Sequence, residues 1–155
     1  MNKVAAGLLG SLGMVLLVSI TIWVVNPSPF TRYVLMFPDT AGGDQHHEIR
    51  NLPHRAGRRD AIHVFLSEII LGPADVGAVP FLPKETRILG VFLDEKKRLF
   101  VNFSGDVLFT GQSETALEDV IQILKQNILF NFRFVDSVTV TIDGQVPGFP
   151  PIIEH

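Results

Sequence analysis

The stretch GPADVGAVPFLPKET (residues 72–86) decides how the rest of the chain is interpreted. It holds three prolines and lies between a helical pattern and a strand pattern, although such connections usually have only about 4 to 6 residues. Pro73, Pro80 and Pro83 favour an extended backbone and restrict the unfolded chain. We therefore predict a connection that carries the chain from the end of a helix to the far edge of a sheet.

Two amphipathic helices are predicted on either side of this connection. The first covers residues 59–71 and ends at Gly72-Pro73, where glycine allows a left-handed stop and proline cannot continue the helix. The second follows Ser113, a suitable N-cap. The apolar positions at helical spacing are Ile62, Phe65, Leu66, Ile69 and Ile70 in the first helix, and Leu117, Val120, Ile121, Leu124 and Ile128 in the second.

Strand patterns account for most of the remaining sequence. Residues 31–37, 85–94, 98–104 and 137–144 are rich in aromatic and β-branched residues, and residues 47–53 form a weaker candidate. The polar run 94–97 suits a hairpin built around a type I turn. The order β, (β), α, β, β, α, β predicts an α+β fold, a two-layer domain with a mainly antiparallel sheet and two helices on one face.

The N-terminal segment predicts a transmembrane helix before this domain. Val4 to Val25 is a run of 22 residues without a charge, long enough for a hydrocarbon layer of roughly 30 Å. A cleaved secretory signal is the alternative, but no convincing Ala-x-Ala site precedes Asn26. With Lys3 kept inside, we expect a single-pass cell-membrane protein whose C-terminal domain is extracytoplasmic.

These patterns give the predicted domain organisation. It consists of a cytoplasmic N-terminus (1–3), the transmembrane signal anchor (4–25), a linker (26–31), the α+β domain (32–144) and a proline-rich C-terminal tail (145–155). Small residues in the anchor would let two helices approach closely and pair. They are Ala6, Gly7, Gly10 and Gly13.

Composition excludes several classes of chemistry. The chain has no cysteine, so disulfides, thiolate catalysis and zinc–cysteine sites are excluded. The net charge is −3, and we see no basic stripe for nucleic acid. We expect no cofactor and no catalytic residue, since Ser67 and Ser104 lie in no nucleophile motif and His63 suits a structural role.

A metal site is the one alternative that the histidines suggest. His46, His47 and His54 lie close in sequence to Glu48 and could supply zinc or nickel ligands. Adjacent histidines on an extended chain point to opposite sides, however, so we favour an exposed polar loop without a metal. Glu48 and Arg50, two residues apart, would lie on one side of the same strand and could form a local ion pair.

The order of these motifs resembles the GerMN domain family, the sporulation and spore germination domain, over about residues 32–144. The resemblance is carried by Phe37-Pro38-Asp39, by a Glu-x-Arg segment, by a helix ending in Leu-Gly-Pro, by a Pro-x-x-Thr loop and by a final Ile-Asp-Gly. The family-motif residues are Glu48, Arg50, Gly72, Pro73, Pro83, Thr86, Asp143 and Gly144. The chain departs from the family at Asn102, where aspartate is common, and in the charged turn 94–97.

The resemblance implies a non-catalytic protein-interaction or scaffold module in a bacterial envelope assembly linked to sporulation or germination. Its partners would be envelope or membrane proteins or a second copy of the chain, contacted through a sheet edge or the 72–86 loop. The alternative is a small-molecule binder or sensor with an apolar pocket under this loop, among Phe81, Phe92 and Phe109.

Overall fold

The computed structural model describes residues 3–25, 29–40, 45–109 and 117–148, and within the first helix the side chains of residues 7–22. The chain divides into two units, residues 1–30 and 31–155. Parts of four predictions lie outside the described residues: residues 1–2 of the N-terminus, residues 26–28 of the linker, the N-cap at Ser113, and the tail from residue 149 onward. The side chain of Ala6 also lies outside them.

The first unit contains helix α1, Lys3–Val25, whose described side chains are exposed. Among the described residues, no helix has both the length and the apolarity needed to cross a membrane, so the predicted transmembrane anchor and single-pass location are wrong. Gly7, Gly10 and Gly13 have no atom near their Cβ positions, and helix pairing stays a prediction.

The predicted strands and helices of the second unit are all present. They are β1 (Phe30–Pro38), β2 (Gln45–Pro53), α2 (Arg58–Leu71), β3 (Ile88–Leu93), β4 (Arg98–Phe103), α3 (Leu117–Asn131) and β5 (Ser137–Ile142), with a 3-10 turn at Gly105–Leu108. The β3–β4 hairpin closes through Lys97 N–H to Asp94 C=O (3.1 Å), and Lys97 adopts a left-handed φ of 60°. The α+β class is therefore correct.

The prediction of one mainly antiparallel sheet is wrong, because the strands form two sheets. One contains β1 and β2, and the other has the order β3-β4-β5. β3 pairs with β4 antiparallel, but β5 pairs with β4 in parallel, Leu99 opposite Val138 and Val101 opposite Val140. The physical reason is the α3 crossover, which returns the chain to the end where β4 began before β5 starts.

A continuous apolar core joins these elements. α2 packs against β3 and α3 against β5. Leu99, Val101 and Phe103 of β4 alternate inward, as do Val138, Val140 and Ile142 of β5. The ring of Phe132 contacts two other aromatic rings. Its centroid lies 5.5 Å from that of Tyr33 and 5.2 Å from that of Phe65.

The edge of β1 is closed by side chains of α3. Asn127 is fully buried, and its amide accepts from Met36 N–H (2.8 Å) and donates to Met36 C=O (2.9 Å). Asn131, one turn later, repeats the pattern on Val34 at 2.9 and 2.7 Å. Helix α3 thus provides β1 with the hydrogen bonds that a neighbouring strand would otherwise make.

We predict that Asn127→Leu lowers the free energy of unfolding by about 3 kcal/mol, because it leaves two buried backbone groups of Met36 unpaired. Asn131→Leu is the matched control and should cost about 1 kcal/mol, since water can reach the half-buried site. Urea unfolding of the full chain measures both values. Equal losses of unfolding free energy for the two variants would contradict the assignment of Asn127 as the main link between α3 and β1.

Candidate functional site around Glu48 and Arg50

Strand β2 places Glu48 and Arg50 on one side, against the end of α2. Their ion pair measures 2.8 Å between Arg50 Nη2 and Glu48 Oε2, and their side chains are only 15% and 10% exposed for Arg50 and Glu48. The predicted pairing is therefore present, and it is largely buried. A buried pair needs further hydrogen bonds to offset the loss of hydration, and both side chains have them.

Arg50 binds the C-terminal end of α2. Its Nη1 lies 3.0 Å from Glu68 Oε2, and its Nη2 lies 2.7 Å from the carbonyl oxygen of Gly72. The carbonyl oxygens at this helix end carry partial negative charge, which a guanidinium stabilises. Sequence reasoning missed Glu68, although an acidic residue in the last turn of a helix is a signal that a cation lies nearby.

Glu48 binds the start of the 72–86 connection. Its Oε1 accepts hydrogen bonds from the backbone N–H groups of Ala74 (2.8 Å) and Asp75 (2.9 Å). Burial by itself raises the pKa of Glu48, but these N–H groups and the hydrogen bond and charge of Arg50 outweigh it, so the pKa is lowered below its ordinary value of 4.5. The carboxylate is thus held in its charged form.

The rest of the connection is fixed by its own contacts. Gly72 has a φ of 89°, and its Cβ position lies 3.4 Å from Pro80. Val79 N–H donates to Pro38 C=O (2.9 Å), and Ala78, Phe81 and Leu82 are buried. The tip projects furthest, with Val76 97% exposed. The connection is a packed strap with an exposed tip, which agrees with the predicted crossing from α2 to the sheet edge.

The remaining family-motif residues lie at turns. Pro83 C=O accepts from Thr86 N–H at 3.1 Å, where the connection turns into β3. Asp143 and Gly144 form a left-handed turn, with φ values of 47° and 82°. Asn102 accepts from Gly144 N–H at 2.9 Å, so its amide oxygen performs an acceptor role that an aspartate could also fill.

The residues of the alternative metal site and of the alternative apolar pocket are not brought together. His46 lies 3.4 Å from Asp75, whereas His54 bonds to Thr31, and no group of three metal-ligating side chains occurs in the part of the chain that the structure describes. Phe81 packs on Phe37, and Phe92 packs on Phe100, while Phe109 is 76% exposed. An apolar pocket formed by these three rings is therefore not observed.

A shallow cleft lies instead beside the end of the strap. Its volume is about 260 Å³, and it lies between α2 and the start of β3. The hydroxyl of Thr86 lines this cleft and is buried, with no hydrogen-bond partner among the described residues. The lining residues are His63, Ser67, Ile70, Thr86, Arg87 and Ile88.

The fold and the strap define a small α+β domain with two sheets, and comparison with known proteins identifies its family. The chain belongs to the Germane family, described as sporulation and spore germination, whose model matches residues 34–147. Comparison with curated proteins gives no significant match.

Two solved structures share the fold. The chain is similar to the first GerMN domain of the sporulation protein GerM from Bacillus subtilis, with 18% identity and a TM-score of 0.57, covering 79% of this chain and 90% of that one. It is also similar to the tandem GerMN domains of the same protein, with 18% identity and a TM-score of 0.58. That match covers 79% of this chain and spans 43% of the tandem structure.

We predict that Glu48→Gln lowers the free energy of unfolding at pH 7 by about 2 kcal/mol, because it removes a buried charge partner of Arg50. A carboxyl group whose pKa is lowered by folding stabilises above its unfolded pKa, and this contribution is lost as the pH falls through the folded pKa. The difference between wild type and variant should therefore shrink as the pH falls below about 4.5. Chemical unfolding from pH 7 to pH 3 measures it.

The control is Glu95→Gln, at an exposed position in the β3–β4 turn, which should change the stability by less than about 0.5 kcal/mol at every pH. A constant difference between wild type and Glu48→Gln across the whole pH range would contradict the charged role of Glu48.

Proposed function

We propose that this chain is a non-catalytic protein-interaction module that acts with sporulation or germination proteins. Membership of the Germane family supports the biological setting. The Glu48–Arg50 site supports the absence of catalysis in this module, because both charged groups are occupied by backbone and side-chain partners of the fold. Groups so engaged hold the strap in place and have little capacity left for a substrate.

The observation that carries the proposal is the exposed terminal strand β3. Its only paired neighbour among the described strands is β4, and two of its large apolar side chains, Leu89 and Phe92, are 49% and 56% exposed. The register shift between Ile88 and Gly90 disturbs the start of the strand, so Gly90–Leu93 is the regular segment left for pairing. Such an edge can accept a strand of a partner, whose side chains would cover Phe92.

Photocrosslinking tests this contact in cells. The photoreactive residue p-benzoylphenylalanine replaces Phe92, and in separate experiments it replaces Val76 at the tip of the strap or Gln122 on the exposed side of α3. We expect a discrete protein adduct from Phe92 and none from Gln122, while an adduct from Val76 alone would move the contact to the strap. The same products from all three positions, or none from any, would contradict the proposal.

A second candidate function, small-molecule binding, rests on the Thr86 hydroxyl. The Thr86 hydroxyl is buried without a hydrogen-bond partner among the described residues, which is costly, and a ligand in the cleft could accept its hydrogen bond. We expect a ligand of this site to raise the melting temperature of the wild type and to lose at least about half of that effect with Thr86→Val. Thermal-shift screening with carboxylate-bearing metabolites and cell-wall fragments measures it, with Ser67→Ala as a control on the same cleft. If no compound raises the melting temperature, the small-molecule function is contradicted and the protein-interaction module is the function that stands.

A further inference from the structure

The charges of the domain are separated between its two ends. Strand β1 begins near the end of α3, because the side chain of Asn131 binds the backbone of Val34. The same strand ends beside the strap, where Asp39 forms a β-bridge with Ala78. β4 and β5 run in parallel away from the end of α3, and Asp136 N–H donates to Lys97 C=O at their beginning. The ends of the elements therefore fall into two groups at opposite ends of the domain.

The first group of strand and helix ends forms the basic end of the domain, which we define by five exposed arginines. Contacts bring them together: His54, next to Arg55, bonds Thr31, next to Arg32. The guanidinium of Arg58 lies 5.0 Å from the centre of the Phe134 ring, next to Arg133. The five residues are Arg32, Arg55, Arg58, Arg59 and Arg133.

None of these arginines has a carboxylate within ion-pair distance over the residues that the structure describes. Asp60 is the acidic residue next to them in sequence. The nearby β3–β4 turn balances its own charge, with Arg98 2.7 Å from Asp94 and Lys97 3.8 Å from Asp136. The basic end therefore has a local excess of positive charge, which the net charge of −3 conceals.

The opposite group carries the acidic end, which we define by Asp75, Glu85, Glu118, Asp119 and Asp143. Asp143 N–H binds Phe103 C=O at the end of β4, and Glu118 and Asp119 lie in the first turn of α3. Two cations lie in the same region, Lys84 and Arg87, and Arg87 is 3.8 Å from Asp106. Negative charge predominates there.

We propose that the basic end of one copy binds the acidic end of a second copy, in a head-to-tail contact. This inference rests on the proposed function as a protein-contact module, and it adds a partner and a surface separate from β3. The second copy is the one occupant whose complementary charge the chain itself supplies. Because the two surfaces differ and lie at opposite ends, the contact is heterologous. Arginines suit it, since a guanidinium can bind a carboxylate through two parallel hydrogen bonds.

Charge reversal tests the contact in the full-length chain. Arg55→Glu/Arg59→Glu removes the positive excess of the basic end, because Arg32, Arg58 and Arg133 are then balanced by Asp60 and two new glutamates. Glu85→Arg/Glu118→Arg removes the negative excess of the acidic end in the same way, because Asp75, Asp119 and Asp143 are then balanced by Lys84 and two new arginines. All these residues are exposed. We expect each variant alone to self-associate at least about tenfold more weakly than the wild type, because one of the two ends no longer attracts the other. An equimolar mixture should recover association to within about threefold of wild type, because the unchanged acidic end of one variant then meets the unchanged basic end of the other.

The cysteine-free sequence allows direct measurement. One population carries a fluorescent donor at Ala56→Cys near the basic end, and the other carries an acceptor at Val76→Cys near Asp75. Energy transfer is recorded at about 0.02 M and about 0.5 M salt, and it should fall as screening increases. Lys84→Glu is the matched control: it is also a cation-to-glutamate change, but it lies at the acidic end and should not weaken association.

Several outcomes would overturn the contact. They are a mixture that associates no better than its components, a Lys84→Glu loss as large as that of the basic-end variant, or no salt-dependent association of the wild type. Unchanged melting temperatures show that the variants are folded, and Arg55→Gln/Arg59→Gln, with a smaller expected loss, gives an independent reading. If association fails while Phe92 still captures a partner in cells, the head-to-tail contact is wrong and the proposed function stands.

Discussion

The pairing of Asn127 with the backbone of Met36 is the constraint on which the arrangement of the domain depends. Strand β1 belongs to one sheet, whereas α3 packs on β5 of the other, so this amide joins the two sheets through a helix. A buried strand edge with unpaired backbone groups would be costly, and a second strand at that position would exclude α3. The asparagine solves both problems because its side chain presents an acceptor and a donor together.

Arg50 makes the corresponding connection on the other side of β1 and β2. Its guanidinium joins β2 to the last turn of α2, and its partner Glu48 joins β2 to the first residues of the strap. Without these contacts the chain between α2 and β3 would be a long loop with higher entropy, held by its buried apolar residues and by the hydrogen bond from Val79 N–H to Pro38 C=O. With them the strap and the start of β3 are fixed, so the partner contact that we propose at the β3 edge would cost less ordering.

The sequence predicted the local elements well because each has a strong period. The alternation in 137–144 and the apolar positions of 59–71 and 117–128 appear as β5, α2 and α3. The pairing of strands could not be predicted in this way, because an alternating pattern is the same for a parallel and an antiparallel partner. Nothing in residues 98–104 or 137–144 required β5 to pair with β4 in parallel, and the two-sheet arrangement was missed.

The Glu48–Arg50 site was predictable in part, because the period of two along a strand is also a strong signal. Glu48 and Arg50 share a side of β2 by the period of two, but their partners Glu68, Gly72 and Ala74 come from another element, and only the folded chain brings them within bonding distance. Asn127 and Asn131 left a signal, since their spacing of four puts two amides on the apolar side of α3, where an unpaired polar group is unfavourable. That pattern predicts a buried backbone partner without identifying β1.

Net charge gave the least guidance, and the reason lies in the chain path. Each strand and helix of the second unit runs from one end of the domain to the other, so consecutive turns alternate between the ends. The turns at 53–59 and 131–136 carry Arg55, Arg58, Arg59 and Arg133, whereas the first turn of α3 and the turn after β5 carry Glu118, Asp119 and Asp143. Positive and negative charges that nearly cancel in the sequence are thereby separated in space. The field between the two ends can orient a second molecule although the net charge is small. Such a field acts over a Debye length of only about 8 Å at physiological salt, so it selects the orientation of approach, and the packing of the two end surfaces must supply the rest of the binding free energy.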